Sequence, residues 1–177
     1  PNAQWVSEIH DLAARRTSRL DDEGNDNSSL MKPQKVYAEL RKVMPRDAII
    51  ALDAGLAPNY GQDRLNYYEP KSLITSLDLG GLGFSFPAAI GAKFAAPDRP
   101  VINFNGDGGF LFNAQEFSTA VQYNLPLVTV IMNNGIWGSE KAYQRYAFDE
   151  RYVGADVVNP RYDKYAEIFG AAGFYVE

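Results

Sequence analysis

Two side chains that offer oxygen ligands, Asp107 and Asn134, each follow an apolar run and stand 27 residues apart (107 to 134). The first run, made by Val101, Ile102 and Phe104, leads into Asn-Gly-Asp-Gly-Gly, and the second, residues 127–132, leads into Asn-Asn-Gly. If both runs are strands of a parallel βαβ unit, their ends lie at one edge of a sheet, where the two side chains can converge on one ion. A carboxylate and an amide oxygen, completed by phosphate oxygens and water, suit Mg²⁺. The spacing therefore predicts a site for a metal and a diphosphate.

Glycines surround the aspartate of this pair. Gly106, Gly108 and Gly109 follow the first run, where bare backbone N–H groups can face an anion. The positive N-terminal end of a following helix would strengthen such a site. A GDG or an Asn-Asn-Gly alone is often only a turn, so the hypothesis depends on finding both at strand ends.

Apolar runs and helical patterns alternate along the chain, and this alternation is typical of an α/β fold with a parallel sheet and helices on both faces. Asn113 and Glu116 have the spacing of a capping box and predict the start of the helix that connects the two turns. The leading helix is expected over residues 1–20, and the polar residues 21–29 are expected to form a loop. Strands are expected near residues 48–52, 72–76, 101–104, 127–132 and 174–176, and further helices after 33, 55, 87 and 113, over 137–146, and from 160 to a stop at Gly170 or Gly173.

Composition limits the class of protein. The chain has 177 residues, of which 46% are hydrophobic and 22% charged, so one folded domain with a core is expected. Its net charge of −5 disfavours nucleic acid and anionic membranes as partners. It has no cysteine and no apolar run near the roughly 20 residues of a membrane span, and its polar start has no signal-peptide pattern, so we expect a cytoplasmic protein.

Three segments resemble a known family. GDGGFLFNAQEFSTAVQYNLPLVTVIMNN closely resembles the thiamine-diphosphate motif of the acetolactate synthase and pyruvate oxidase superfamily. LGGLGFSFPAAIGAKFAAPDRP resembles the glycine-rich segment and helix of these enzymes, and KPQKVYAELRKVMPRDAIIALDAG resembles the start of their diphosphate-binding domain. The resemblance implies a diphosphate-binding domain over residues 31–177 with a Rossmann-like fold. Residues 1–30 resemble the linker helix and loop that follow a middle domain.

The resemblance also implies the ligands of the cofactor. The side chains of Asp107 and Asn134 and the backbone carbonyl of Ile136 would bind Mg²⁺, and Leu82 would support thiamine diphosphate in its bent conformation. Gly109 stands where many relatives have serine, so one hydroxyl contact to the diphosphate is missing. The full set of cofactor-binding residues that the resemblance implies is Gly81, Leu82, Gly106, Asp107, Gly108, Gly109, Asn134, Ile136, Trp137 and Gly138.

No catalytic residue is expected in this chain. In the family, a glutamate from a separate pyrimidine-binding domain activates the cofactor, usually across a subunit interface, and nothing here resembles that domain. Glu116 is expected to be a helix cap. The resemblance implies that the last helix and strand of the family's domain are absent after Glu177. We therefore expect a C-terminally truncated piece, roughly a third of a whole enzyme, that does not turn over alone.

The leading functional hypothesis is acetolactate-synthase-like chemistry: decarboxylation of a 2-oxo acid and transfer of the activated aldehyde, in a homodimer or homotetramer with the cofactor at the interface. The segment from Trp137 to Lys141 keeps sulfoacetaldehyde acetyltransferase, 2-hydroxyacyl-CoA lyase and oxalyl-CoA decarboxylase open. In this segment, Trp137 either lies near the cofactor or substrate, or Glu140 and Lys141 form only a solvated helix pair. A different class, a non-catalytic nucleotide-binding module, predicts a G-x-G-x-x-G fingerprint that residues 80–83 do not have.

Overall fold

The computed structural model describes residues 2–28, 30–76 and 78–177, so that Pro1 and Ser29, which belong to the predicted leading helix and loop, lie outside it. The chain folds around a four-stranded parallel sheet with the strand order β2-β1-β3-β4, which confirms the predicted α/β class. The elements are α1 (Ala3–Gly24), α2 (Pro33–Val43), β1 (Ile49–Leu52), α3 (Leu56–Arg64), β2 (Leu73–Thr75), α4 (Ser85–Ala95), β3 (Val101–Gly106), α5 (Asp107–Leu111), a 3₁₀ turn (Ala114–Glu116), α6 (Phe117–Gln122), β4 (Val128–Met132), α7 (Gly138–Ala147) and α8 (Tyr162–Ile168).

Helices cover both faces of the sheet because successive strand residues point to opposite sides. On one face, Ile50 and Leu52 pack in a core with Tyr37 of α2. On the other, Ile49 and Ala51 pack with Ala89 of α4. All four residues of β1 are buried, as expected of a central strand that is apolar on both sides.

The leading helix α1 is longer than predicted and includes residues 21–24, which the polar pattern placed in a loop. Its end is held by tertiary contacts, since Gly24 lies so close to α2 that a Cβ there would stand 2.7 Å from the Cβ of Ala38. Arg16 reaches α3 and forms an ion pair with Asp63 at 2.8 Å. These contacts explain why the helix continues through residues that favour turns.

The predicted capping box is wrong. Residues 114–122 form a 3₁₀ turn followed by α6, and the Asn113 side chain before them makes no cap. It donates instead to the carbonyl of Gly83 at 2.9 Å, while Glu116 accepts a hydrogen bond from the Thr119 hydroxyl at 2.8 Å. The cap does not form because the Asn113 side-chain amide is held by its hydrogen bond to the distant Gly83 carbonyl.

The predicted strand at residues 174–176 is also wrong, because none of residues 171–177 pairs with a strand in the structure. A strand needs hydrogen bonds from a neighbour, and Phe174 is 85% exposed. Helix α8 ends before Gly170, whose φ of +82° is favourable for glycine. Among the described helices, none is both long and apolar enough to cross a membrane.

Candidate functional site

Asp107 lies at the junction of β3 and α5 with only 2% of its surface exposed. Its Oδ2 atom accepts a hydrogen bond from the backbone N–H of Gly135 at 2.7 Å, which joins it to the turn after β4. Because β3 and β4 are parallel neighbours, both turns lie at one edge of the sheet. Within the described residues nothing donates to its other oxygen, Oδ1, so this atom is left for a cation.

The turn after β4 presents two more oxygen atoms. The Asn134 side chain accepts a hydrogen bond from the backbone N–H of Ile136 at 3.2 Å, which holds its amide beside the turn. Ile136 itself lies opposite Asp156 in an antiparallel bridge. The hydrogen bonds of this bridge run from the N–H of Trp137 to the carbonyl of Ala155 and from the N–H of Val157 to the carbonyl of Gly135. This type of bridge leaves the Ile136 carbonyl unused, and it accepts no backbone hydrogen bond from the part of the chain that is described.

The glycines around Asp107 differ in their surroundings. A Cβ at Gly106 would meet no atom within 4 Å, so the space beside it is open. A Cβ at Gly108 would stand 2.6 Å from the ring of Trp137, and one at Gly109 would stand 3.0 Å from Oδ1 of Asp53. A helix does follow the turn, since α5 begins at Asp107, but it has only five residues.

Leu82 lies in a loop that buried hydrogen bonds hold in place. The next residue, Gly83, has a φ of +79°, and a Cβ there would stand 2.6 Å from the Cβ of Phe112. Its N–H donates to Asp53 at 3.0 Å. The backbone carbonyl of Gly81, the residue before Leu82, accepts a hydrogen bond from the Ser76 hydroxyl at 3.3 Å. Leu82 is half-buried and faces Gly109, since its Cδ2 would stand 3.7 Å from a Cβ at that position.

Asp53 is a buried polar residue that the sequence pattern marked only as the end of a strand. It has no measurable exposure, and its Oδ2 accepts hydrogen bonds from the N–H and the hydroxyl of Ser85 at 2.9 and 2.8 Å. The Ser85 hydroxyl also lies 2.9 Å from the side-chain oxygen of Asn105, the residue before Gly106. One polar network therefore joins the end of β1, the glycine-rich loop and the end of β3. The sequence signal that could have marked Asp53 was its position directly after a strand made only of apolar residues.

Trp137 and Gly138 connect the turn to α7. The Trp137 ring packs over Gly108 and stands edge-on to Phe112 at a centroid distance of 5.9 Å. Gly138 lies near Leu56, whose Cδ1 would stand 3.7 Å from a Cβ there. Of the two alternatives for this segment, the one in which Glu140 and Lys141 form a solvated pair is not observed, because Lys141 pairs with Asp156 at 2.6 Å.

Two residues that sequence reasoning missed also touch Asp107. Asn159 donates from Nδ2 to Oδ2 of Asp107 at 2.6 Å and to the side-chain oxygen of Asn133 at 2.9 Å. The Tyr162 hydroxyl lies 3.0 Å from the backbone carbonyl of Asp107 and 2.9 Å from the side-chain oxygen of Asn159. Burial, and then the charge of Asp107, raise the pKa of Tyr162, so its hydroxyl keeps the proton that it donates. In the sequence, Asn159 is visible only as part of an Asn-Pro turn, and Tyr162 only as part of an aromatic helix face.

The donor set fits Mg²⁺ with a diphosphate. One carboxylate and two neutral oxygens come from two adjacent turns, and open space adjoins Gly106. Mg²⁺ takes few protein oxygens when phosphate and water complete its shell. Asp107, Asn134 and Ile136 are the residues that would hold it.

The chain is similar to several enzymes over most of its length. The chain is 29% identical to a sulfoacetaldehyde acetyltransferase of Castellaniella defragrans over 98% of its own length and 30% of that protein. It is 35% identical to an acetolactate synthase large subunit of Mycobacterium tuberculosis over 96% of its length and 31% of that protein. The structure is similar to a thiamine diphosphate-dependent 4-hydroxybenzoylformate decarboxylase of Rhodococcus jostii, with a TM-score of 0.75 and 30% identity over 82% of this chain and 27% of that one.

The chain thus spans about 30% of the length of the relatives that it matches. Residues 53–177, more than half of the chain, match the family described as thiamine pyrophosphate enzyme, C-terminal TPP binding domain. Asp53, the glycine-rich loop and both turns at the sheet edge lie inside this match. The chain belongs to the thiamine pyrophosphate enzymes and carries their C-terminal cofactor-binding domain.

Proposed function

We propose that this domain holds the diphosphate of thiamine diphosphate through Mg²⁺ bound by Asp107, Asn134 and the Ile136 carbonyl. The observation that carries the proposal is the contact of the buried Asp107 carboxylate with the N–H of Gly135, because it brings the ligands of two turns to one place. Gly106 leaves room for the diphosphate, and Leu82 and Trp137 flank the glycine turn. When bound, the cofactor supplies a nucleophilic carbon that attacks a carbonyl group.

For the whole protein we propose acetolactate-synthase-like chemistry on a 2-oxo acid. The acetolactate synthase among the relatives supports this choice. The runner-up is sulfoacetaldehyde acetyltransferase, supported by a relative of that name and by the segment from Trp137 to Lys141, whose Trp137 ring packs over Gly108. Product analysis of the full-length protein with pyruvate, and with sulfoacetaldehyde plus phosphate, separates the two.

We propose further that the cofactor lies at a subunit interface in a cytoplasmic homo-oligomer. An apolar groove between α3 and α7 supports an interface, since Leu56, Tyr143 and Tyr146 are 49%, 71% and 83% exposed there. Residues 1–30 would link a preceding domain to the diphosphate domain of residues 31–177. The exposed Trp5 and Leu12 of α1, at 61% and 59%, suit contact with such a domain.

Titration calorimetry of the full-length protein tests the proposed site. Thiamine diphosphate is titrated with and without Mg²⁺ into the unchanged protein, Asp107→Ala and the control Asp98→Ala, whose side chain is exposed. We expect Mg²⁺-dependent binding that Asp107→Ala weakens by more than about 100-fold, beyond the roughly 10- to 100-fold cost of losing an outer partner. Binding that is independent of Mg²⁺, or equal in the two variants, would contradict the proposal.

A further inference from the structure

We propose that Asn159, fixed by Tyr162, is the positioning residue that sets the orientation of the Asp107 carboxylate toward the metal, an inference that rests on the proposed function. Asn159 lies 52 positions after Asp107, in the segment between α7 and α8. Neither Asn159 nor Tyr162 offers the metal an atom in this role. Their effect passes through Asp107.

The hydrogen bonds of Asn159 leave its side chain little freedom. The two protons of its Nδ2 go to Oδ2 of Asp107 and to the side-chain oxygen of Asn133, and its own oxygen lies 2.9 Å from the Tyr162 hydroxyl. The amide cannot be reversed without placing its oxygen against two acceptors. Its orientation is therefore determined by its partners.

The hydrogen bond from Asn159 selects which oxygen of Asp107 remains for the metal. Oδ2 already accepts from the N–H of Gly135 at 2.7 Å and from Asn159 at 2.6 Å. Two donors on the same oxygen prevent the carboxylate from rotating, so Oδ1 keeps one direction. The bond from Asn159 to the Asn133 side chain ties the same amide to the turn that carries Asn134.

The segment that carries Asn159 is itself attached to the metal turn. Asp156 bridges Ile136, with backbone hydrogen bonds of 2.8 Å on either side, and also pairs with Lys141 of α7. Tyr162 anchors the other end, where its hydroxyl lies 3.0 Å from the Asp107 carbonyl and its ring packs edge-on against Phe110 at 5.5 Å. Residues 155–162 thus lie across the turn and are attached on both sides of it.

Metal preference distinguishes positioning from general stabilisation. Mg²⁺ requires near-ideal octahedral geometry, whereas Ca²⁺ accepts flexible sites. A carboxylate free to rotate should therefore lose affinity for Mg²⁺ more than for Ca²⁺. A loss of stability alone would weaken both metals to the same degree.

The test measures the apparent Kd of Mg²⁺ and of Ca²⁺ in the full-length protein at saturating thiamine diphosphate, together with Tm without ligands. The variants are Asn159→Ala and the isosteric Tyr162→Phe. The matched controls are Asn66→Ala, whose side chain is exposed, and Tyr165→Phe, whose ring packs on Phe110 and Phe117 and whose hydroxyl has no partner in the described residues.

We expect Asn159→Ala to weaken Mg²⁺ binding roughly 10- to 100-fold, the usual effect of losing an outer partner of a ligand. The ratio of the Ca²⁺ to the Mg²⁺ Kd should fall several-fold, Tyr162→Phe should shift it in the same direction by less, and both controls should leave it unchanged. The inference is overturned, while the proposed function stands, if Asn159→Ala binds Mg²⁺ as tightly as the unchanged protein or loses affinity for both metals equally. Should Asn159→Ala not fold, an unchanged ratio in Tyr162→Phe overturns it. Absence of metal-dependent binding in the unchanged protein overturns the proposed function as well.

Discussion

Replacing Asp53 by asparagine removes the group that joins three elements of the site while keeping the size of the side chain. Oδ1 of Asp53 accepts from the N–H groups of Ala54 and Gly83 at 2.9 and 3.0 Å. Oδ2 accepts from the N–H and the hydroxyl of Ser85 at 2.9 and 2.8 Å. Whichever way the new amide turns, its NH₂ group replaces one of these oxygens and faces two donors.

The cost follows from the number of donors left without an acceptor. If the NH₂ group faces Ser85, the hydroxyl can rotate and accept, so one backbone N–H is stranded. If it faces Ala54 and Gly83, two are stranded. An unsatisfied buried donor costs about 1–3 kcal/mol, and the remaining bonds weaken because their acceptor is no longer charged. We therefore expect Asp53→Asn to lower the free energy of unfolding by about 2–4 kcal/mol.

Urea unfolding of the purified chain, followed by circular dichroism, measures this loss. The control is Asp98→Asn, an exposed change for which we expect no more than about 0.5 kcal/mol. Hydrogen exchange at the Gly83 amide should also become faster in Asp53→Asn. A loss below about 1 kcal/mol, or unchanged exchange at Gly83, would refute the role given to the buried carboxylate.

Three further predictions follow from individual contacts. Gly83→Ala should destabilise the chain by more than about 2 kcal/mol, because the added Cβ would meet the Cβ of Phe112 at 2.6 Å and the backbone φ is +79°. Gly91→Ala in α4, where an added Cβ would have nothing within 4 Å, should instead stabilise the chain by about 0.5–1 kcal/mol; urea midpoints that shift alike in the two variants would contradict this. The hydrogen bond from Arg16, opposed by burial and aided by the Arg16 charge, lowers the pKa of Asp63 below its usual value. The docking of α1 therefore adds stability above that usual pKa and loses it as the pH falls through the lowered pKa; Arg16→Leu should remove this part of the acid unfolding curve, and an unchanged curve would disprove it. In the full-length protein, Leu82→Ala should reduce turnover far more than Mg²⁺-dependent binding of thiamine diphosphate, because Leu82 contacts the site without offering a ligand; equal losses in calorimetry and turnover would count against the supporting role.

The sheet and the two turns could be predicted because their signals are local. The runs at 101–104 and 127–132 are apolar apart from Asn103 and Thr129, as is typical of strands in a parallel sheet, and each is followed by residues that favour turns. Parallel pairing then places Asp107 and Asn134 at the same edge without further information.

The contacts that hold the site could not be predicted because they join distant residues. Asp53 meets donors 30 and 32 positions away, and Asn159 meets Asp107 across 52 positions. A single sequence does not show which polar side chains become buried partners. Asn113 illustrates the same limit, since its local pattern predicts a cap and its amide bonds to Gly83 instead.

Metal substitution in a crystal tests the proposed ligand set most directly. Mn²⁺ can replace Mg²⁺ at oxygen sites, and its anomalous scattering locates it in crystals of the full-length protein grown with thiamine diphosphate. We expect one Mn²⁺ peak at about 2.0–2.3 Å from Oδ1 of Asp107, the Asn134 side-chain oxygen and the Ile136 carbonyl, beside the diphosphate. A peak that omits Asp107, or a bound cofactor with no metal at this edge of the sheet, would contradict the proposed site.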